Sequence, residues 1–336
     1  MRIGIVGTGS WGTALGNVLA DNHHDVIMWG RSDKEVEDIS VNHQNSLYFQ
    51  DTKLNENLKA TSNFDDLKGL DVYLLAVPTA AVEEVSIRLN SVIEQAAIII
   101  NVAKGFHPVT HDLLSVVIET SIPQDKRLGV VSLIGPSHAE EVVLGKLTTV
   151  NAVCADEVIA YDIQKLFSND YFRVYRNTDV IGCQIGVAIK NIIAVISGAA
   201  AGLDLGDNAR AALITRGLAE MTRYGLHFGA KAETFLGLCG VGDLIVTCSS
   251  EHSRNFQAGF EIGQKNSAVE YMKHITKTVE GIHATKVVYD VMIQEGLDMP
   301  LTNEAYQVLY QGKKPSDAIL DLMNRSLKDE GATPSV

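Results

Sequence analysis

Arg2-Ile-Gly-Ile-Val6 runs directly into Gly7-Thr8-Gly9-Ser10-Trp11-Gly12, an apolar run followed at once by a glycine-rich loop. The first five residues form a short apolar run that reads as a buried strand, and residues 13–22 follow a helical pattern. A G-x-G-x-x-G spacing alone is a weak signal. Placed between a strand and a helix, it has a mechanism. The first glycine permits the tight turn, the second lets a pyrophosphate approach the backbone, and the third lets helix and strand pack closely. Free amides at the helix N-terminus then face the phosphates. Gly7, Gly9, Ser10, Trp11 and Gly12 are therefore expected to bind a dinucleotide. Trp11 is too large for a generic turn, and two readings stand for it: a wall of the nicotinamide pocket, or core filling between domains.

Working outward, apolar runs at 25–29, 71–77, 97–102 and 129–134 predict further strands, with helical stretches at 81–94 and 111–120 between them. Continuous apolar strands separated by helices are the mark of a parallel sheet covered on both faces. Residues 147–154 and 171–175 read as additional strands flanking a helix at 157–167. Beyond about residue 180 the pattern changes. Residues 183–198, 207–225, 231–238, 255–264, 283–295, 302–310 and 315–323 read as helices, and 325–336 as a frayed tail. The expected class is an α/β doubly wound Rossmann-type domain at 1–180, followed by an all-helical substrate domain at 181–336.

With 336 residues the chain is long enough for two cores, and 46% hydrophobic with 21% charged residues is an ordinary globular composition. A net charge of -13 argues against a nucleic-acid surface but leaves room for a local basic cleft that takes a small anion. The four cysteines form no Cys-x-x-Cys pair and read as reduced thiols, and no metal site is expected. Residues 1–20 do not read as a signal peptide, and no stretch approaches an uncharged membrane span. The expectation is a soluble, cytoplasmic protein.

Ligands of such sheets collect at the carboxyl ends of strands. The second strand ends in Gly30-Arg31-Ser32-Asp33, where an acid at the first position would favour NAD. A guanidinium and a hydroxyl suit a 2′-phosphate, so NADP is favoured with NAD tolerated; Asp33, slightly late, could still serve the ribose, and a solvated-loop reading of Arg31 stays open. Val77-Pro78-Thr79 is expected to back the cofactor. Lys104, in Asn101-Val-Ala-Lys104-Gly105, could reach a phosphate or carbonyl oxygen, or be an ordinary strand-end lysine. In Gly135-Pro-Ser137-His-Ala139-Glu-Glu141, Ser137 is expected to cap a helix and the free amides to suit an anion.

Lys190 stands inside the apolar helical run Gly186-Val-Ala-Ile-Lys190-Asn-Ile-Ile-Ala194-Val-Ile-Ser-Gly198. It is either buried, with its pKa pulled down into the proton-exchanging range, or it snorkels to water or neutralises a structural carboxylate. Gly186 and Ala194, one turn away on either side, are both small, so the ammonium could look into a cavity. Asp243 reads as a partner of Lys190 or of a substrate hydroxyl, or as a helix N-cap. Ser253-Arg254-Asn255 begins a helix in a manner suited to a monophosphate, with a capped helix and exposed arginine as the alternative. Asp207-Asn208-Ala-Arg210 also reads as a cap.

Taken in order, and with Val279-Glu280-Gly281, these segments resemble the bacterial glycerol-3-phosphate dehydrogenase [NAD(P)+] family from residue 1 to about 325. The resemblance implies reduction of dihydroxyacetone phosphate to sn-glycerol 3-phosphate, which feeds glycerophospholipid synthesis, and a homodimer through the helical domain. It implies Lys190 as the proton-transferring residue. It implies cofactor contacts at Ser10, Trp11, Arg31, Lys104, Ala139, Arg254, Val279 and Glu280. Substrate contacts fall on Lys104, Gly135, Ser137, Lys190, Asp243, Ser253, Arg254 and Asn255. A β-hydroxyacid dehydrogenase is the rival reading, and it would want a carboxylate clamp in place of Ser253-Arg254-Asn255.

Overall fold

In the computed structural model, which describes residues 1–275, 279–327 and 329–330, the first half of the chain forms one sheet of eight strands. These are β1 (Arg2–Val6), β2 (Asp25–Trp29), β3 (Lys59–Thr61), β4 (Val72–Leu75), β5 (Ala97–Asn101), β6 (Arg127–Ile134), β7 (Thr148–Val153) and β8 (Phe172–Asn177). Their spatial order is β3-β2-β1-β4-β5-β6-β7-β8. Successive residues on the central strands point to opposite faces, and both faces are buried. Val72 and Leu74 join one core with Ile3, Ile5 and Leu15, while Tyr73 and Leu75 join another with Val6 and Ile99. This double burial is why the strands read as continuous apolar runs.

The helices of this half are α1 (Ser10–Asp21), α2 (Asp33–Ser40), α3 (Ser46–Phe49), α4 (Val82–Leu89), α5 (Leu114–Ser121), α6 (Ala139–Val142) and α7 (Glu157–Phe167). Two features depart from expectation. The pairing of β6 with β7 is antiparallel, while β7 and β8 pair parallel to each other. Between β6 and β7 only the four-residue α6 intervenes, and the chain turns back along the sheet edge without a full covering helix. The second departure is that β3, α2 and α3 were not foreseen. Lys59-Ala-Thr61 is a three-residue edge strand with no apolar run to announce it.

The second half comprises α8 (Val180–Gly202), α9 (Gly206–His227), α10 (Ala232–Phe235), α11 (Asp243–Ser249), α12 (Arg254–Gln264), α13 (Val269–His274), α14 (Glu280–Glu295), α15 (Pro300–Gln311) and α16 (Pro315–Met323). A π-helical turn, Leu238–Gly242, leads into α11. Asp179 starts α8: its carboxylate accepts from Gly182 N (2.9 Å), Lys231 N (2.9 Å) and Thr234 Oγ1 (2.6 Å), tying the helix start to α10. Helix α8 and the stretch Ala232–Ser249 have the length and mean hydropathy of a membrane span, but neither is uncharged: Lys190 interrupts the first, and Glu233 and Asp243 lie in the second. Within the fold, 83% of the most apolar window of α8 is buried against other elements.

The closest packing on α8 comes from α12. A Cβ added at Gly259 would stand 2.0 Å from Val195 O, and one at Gly198 would stand 2.1 Å from Phe256 O. The two helices therefore meet backbone to backbone, which fixes where the start of α12 lies relative to Lys190. On the far side, Glu220 of α9 accepts from Leu301 N (2.6 Å), Thr302 N (3.1 Å) and Thr302 Oγ1 (3.0 Å), fastening α15 by its N-terminus.

Candidate active site

Gly7 holds a φ of 120°, and a Cβ there would lie 2.4 Å from Ala76 O, so neither the turn nor its contact with the end of β4 admits a side chain. Gly9 caps α1 with no side-chain hydrogen bond, and nothing stands within 4 Å of where its Cβ would be. Open space beside uncapped amides is what a pyrophosphate needs, and the loop fits a dinucleotide on that ground. Beneath it, Thr8 is buried; its hydroxyl donates to Glu35 (2.6 Å), and Asn45 donates to Thr8 O (2.9 Å). Trp11 is half-buried and packs on the core of the sheet domain. Arg31 is exposed in the β2–α2 connection, and Ser32, read as a phosphate hydroxyl, instead caps α2 by accepting from Glu35 N (3.3 Å).

Glu280, the first residue of α14, reaches the ends of β4 and β5. Its carboxyl lies beside the Thr79 side chain, and a Cβ at Gly105 would lie 3.5 Å from its Oε2. Burial pushes this carboxyl above its ordinary range, with Thr79, His283 and Arg254 opposing. Thr79 also donates to Lys104 O (3.2 Å). Val279 caps α14 from a buried position, and Ala139 is buried at the first turn of α6.

Lys190 does not snorkel; it is 5% exposed. Its Nζ donates to Asp243 Oδ1 and to Thr247 Oγ1, both at 2.7 Å. The other oxygen of Asp243 accepts from Lys104 Nζ (3.0 Å), which also donates to Gly135 O (3.0 Å). Burial pulls Lys190 down to about 8, with Asp243 resisting and Lys104 adding to the fall. Burial would raise the Asp243 carboxyl, but Lys104 and Lys190 outweigh it and hold the group ionised below its usual range. The cluster thus contains an anion shared by two cations, one of which loses its proton near neutrality.

Several expectations about this cluster need correction. Asp243 is not an N-cap; Gly242 holds that position and the carboxylate serves the lysines. Ser137 does not cap α6, whose N-cap is His138; its hydroxyl donates to Gly135 O (3.1 Å). Gly186 offers no room for a substrate. A Cβ there would stand 2.3 Å from Cys239 O, because the π-turn leading to Asp243 rests on that glycine. Asp207 does not cap α9, which begins after Leu205; it pairs with Arg210 (3.3 Å) in the first turn.

At the start of α12, Ser253 is a buried N-cap accepting from Phe256 N (3.2 Å), and Arg254 is exposed. Asn255 is engaged on both sides: it donates to Asn191 Oδ1 (2.9 Å) and accepts from Gly281 N (2.9 Å). It thereby ties α8, α12 and α14 together beside Lys190. Asn191 and Thr247 carried no role in the sequence reading. Both had a signal, since Asn191 adjoins Lys190 and Thr247 lies four residues after Asp243, on the same helical face. Among the described residues no group of three His, Cys, Asp or Glu side chains could hold a metal ion.

The model of the family described as NAD-dependent glycerol-3-phosphate dehydrogenase matches this chain in two parts, its N-terminus at residues 2–160 and its C-terminus at 179–320. The chain is 48% identical over 330 residues to the glycerol-3-phosphate dehydrogenase [NAD(P)+] of Staphylococcus haemolyticus, covering 98% of this chain and 99% of that protein. The Exiguobacterium sp. protein of the same name is 44% identical over 98% of this chain and 97% of its own length. The crystal structure of glycerol-3-phosphate dehydrogenase from Coxiella burnetii superposes with a TM-score of 0.89 at 35% identity, covering 96% of this chain and 99% of that one. The glycine loop, the buried lysine pair and the end-to-end similarity agree, and the chain belongs to the NAD-dependent glycerol-3-phosphate dehydrogenase family.

Proposed function

We propose that Lys190 is the proton donor in the NAD(P)H-dependent reduction of dihydroxyacetone phosphate to sn-glycerol 3-phosphate, the reaction of an oxidoreductase of this family. The observation that carries the assignment is the sharing of a buried Asp243 between Lys190 and Lys104, 2.7 and 3.0 Å from its two oxygens. The bound dinucleotide supplies the hydride. Gly7, Gly9, Ser10, Trp11 and Gly12 would hold its pyrophosphate end, with Arg31, Lys104, Ala139, Arg254, Val279 and Glu280 as further contacts.

The substrate's phosphate rests at Ser253, Arg254 and Asn255 and its carbonyl faces Lys190, with Gly135 and Ser137 along its length. Gripping the phosphate fixes the geometry at the distant reacting carbon. As negative charge grows on the carbonyl oxygen, Lys190 gives up its proton, and Lys104 adds positive potential. Asp243 and Thr247 hold the Lys190 ammonium in place. In the reverse direction neutral Lys190 takes the hydroxyl proton.

Arg31 in the β2–α2 connection supports a preference for NADPH over NADH, because no acid stands at the end of β2. The boundary at 180/181 is supported by the change from sheet to helices after Asn177, and a homodimer by the family resemblance together with exposed Leu205, Leu226 and Phe228 around α9. The reading implies a cytoplasmic enzyme supplying phospholipid synthesis. The test is oxidation of NADH and NADPH on adding dihydroxyacetone phosphate to the purified protein. Turnover is expected with both, faster with NADPH at low cofactor. Absence of turnover with either rejects the reading. Arg31→Ala is expected to raise KM for NADPH more than for NADH, and an equal rise removes its role.

A further inference from the structure

His138 has no role in the scheme above, yet its ring stands among the residues that do. It occupies the N-cap position of α6, in the connection that leaves β6 through Gly135. Its Nε2 is buried and has no hydrogen-bond partner in the protein. Its ring meets that of His252 edge to face, centroids 5.9 Å apart, and His252 immediately precedes Ser253. A buried polar nitrogen left unpaired costs stability, and such groups persist where a ligand completes them. The charges of Lys190 and Lys104 act on the ring, and its contact with His252 sets it beside the start of α12.

We propose that His138 is a substrate contact: its Nε2 donates a hydrogen bond to a phosphate oxygen of dihydroxyacetone phosphate, and the imidazole takes up a proton as the dianion arrives. The inference rests on the reading of this cleft as the dihydroxyacetone phosphate site, and adds to it a residue that selects the charged phosphate. In the free cleft, burial holds the imidazole below its ordinary range; Glu140 opposes this, and Lys190, Lys104 and His252 reinforce it. These groups face the ring from α6, α8, the end of β5 and the α11–α12 connection. An anion in contact reverses the balance, because opposite charge favours the protonated ring. Protonation on binding makes affinity for the phosphorylated substrate fall as pH rises. His138 would add a donor to a cradle in which Asn255 is already engaged with Asn191 and Gly281.

The experiment is KM for dihydroxyacetone phosphate between pH 6 and 8.5 in the unsubstituted enzyme, His138→Gln and His138→Ala. The substrate's own phosphate ionisation is common to all three, so the difference between them is the readout. At the acid end, His138→Ala is expected to raise this KM about tenfold, with KM for NADH changed less than about twofold. His138→Gln, which keeps a donor but cannot charge, is expected to flatten the rise of KM with pH. Calorimetry of sn-glycerol 3-phosphate binding in buffers of different ionisation enthalpy is expected to show proton uptake that His138→Gln loses. If KM for dihydroxyacetone phosphate follows the unsubstituted enzyme at every pH in both variants, or if only KM for NADH moves, the proposal is overturned. Should His138→Ala fail to fold, the His138→Gln profile decides. Absence of any turnover of dihydroxyacetone phosphate by the unsubstituted enzyme overturns the proposed function and this inference with it, whereas turnover indifferent to His138 overturns this inference alone.

Discussion

Asp243 holds Lys190 at 2.7 Å through one carboxylate oxygen while its other oxygen holds Lys104 at 3.0 Å, and all three side chains are largely withdrawn from water. One anion shared by two cations leaves a net positive charge in the cleft. That excess is suited to a substrate carrying a phosphate and developing a further negative charge at its carbonyl oxygen. It also sets Lys190 apart from Lys104: Lys190 is the more deeply buried and is drawn down to about 8.

The pH dependence of the two reaction directions follows from that value. Reduction needs the ammonium form, so kcat for dihydroxyacetone phosphate is expected to be level below about pH 7 and to fall as pH rises through about 8. Oxidation of sn-glycerol 3-phosphate needs the neutral amine and is expected to rise over the same interval. Lys190→Ala is expected to lower kcat by at least ~100-fold while NADH binding, followed by fluorescence, is retained. Loss of folding in that variant would instead make Lys190 a structural partner of Asp243.

Asp243→Asn removes the main group that supports the charge of Lys190 against burial and against Lys104. The alkaline fall in the reduction rate is therefore expected to move to lower pH. Leaving two cations with no counter-ion is expected to cost about 3 kcal/mol or more of stability, read as a fall in Tm. An unmoved pH profile would show that Asp243 does not tune Lys190.

Glu220, 4% exposed, is raised to about 7 by burial, against the hydrogen bonds it accepts from Leu301 and Thr302. Its folded pKa lies above its unfolded one, so its contribution is fully present below about 4.5 and is lost as pH rises through about 7. Glu220→Gln keeps an acceptor for α15 and cannot ionise. Its stability relative to the unsubstituted protein is expected to increase with pH across that window and to level off above it, by a difference on the order of 3 kcal/mol. Denaturant unfolding at pH 5, 6, 7 and 8 measures this, and a constant difference would contradict it.

Two glycines are expected to respond in opposite ways to substitution. At Gly9, φ is -68° and the Cβ position is open, so Gly9→Ala should leave Tm nearly unchanged while raising KM for both cofactors, because the methyl group enters the space of the pyrophosphate. At Gly259 a side chain would drive α12 off α8. Gly259→Val is expected to destabilise by roughly 3 kcal/mol or more, visible in thermal unfolding before any kinetic effect is measured.

Much of the architecture was legible because it is periodic or local. The strand at 25–29 and the helix at 157–167 coincide with β2 and α7, residue for residue. Apolar runs identify central strands because both faces are buried, and the glycine loop identifies the cofactor end through its flanking elements. The short edge strand β3 and the antiparallel return at β7 were hidden because neither leaves an apolar pattern of its own. Helix α11 is half legible: reading Asp243 as an N-cap implies a helix from residue 244, and only the π-turn resting on Gly186 places Asp243 inside that helix.

The sequence by itself determined the class of fold, the dinucleotide loop and the presence of a lysine in an apolar helix, since each depends on neighbours within a turn or two of the chain. Only the tertiary structure decided what that lysine touches. Lys104, Lys190 and Asp243 come from the end of β5, the middle of α8 and the first turn of α11, and no local rule brings both lysines to one carboxylate, at 3.0 and 2.7 Å. The close crossing of α8 and α12, the π-turn seated on Gly186 and the burial of Asp243 do so together. The same long-range packing turned Gly186 from a suggested space into a filled one, and left the Nε2 of His138 without a protein partner beside the cleft. Burial and pairing are properties of the assembled core, and they set the proton affinity on which the proposed chemistry depends.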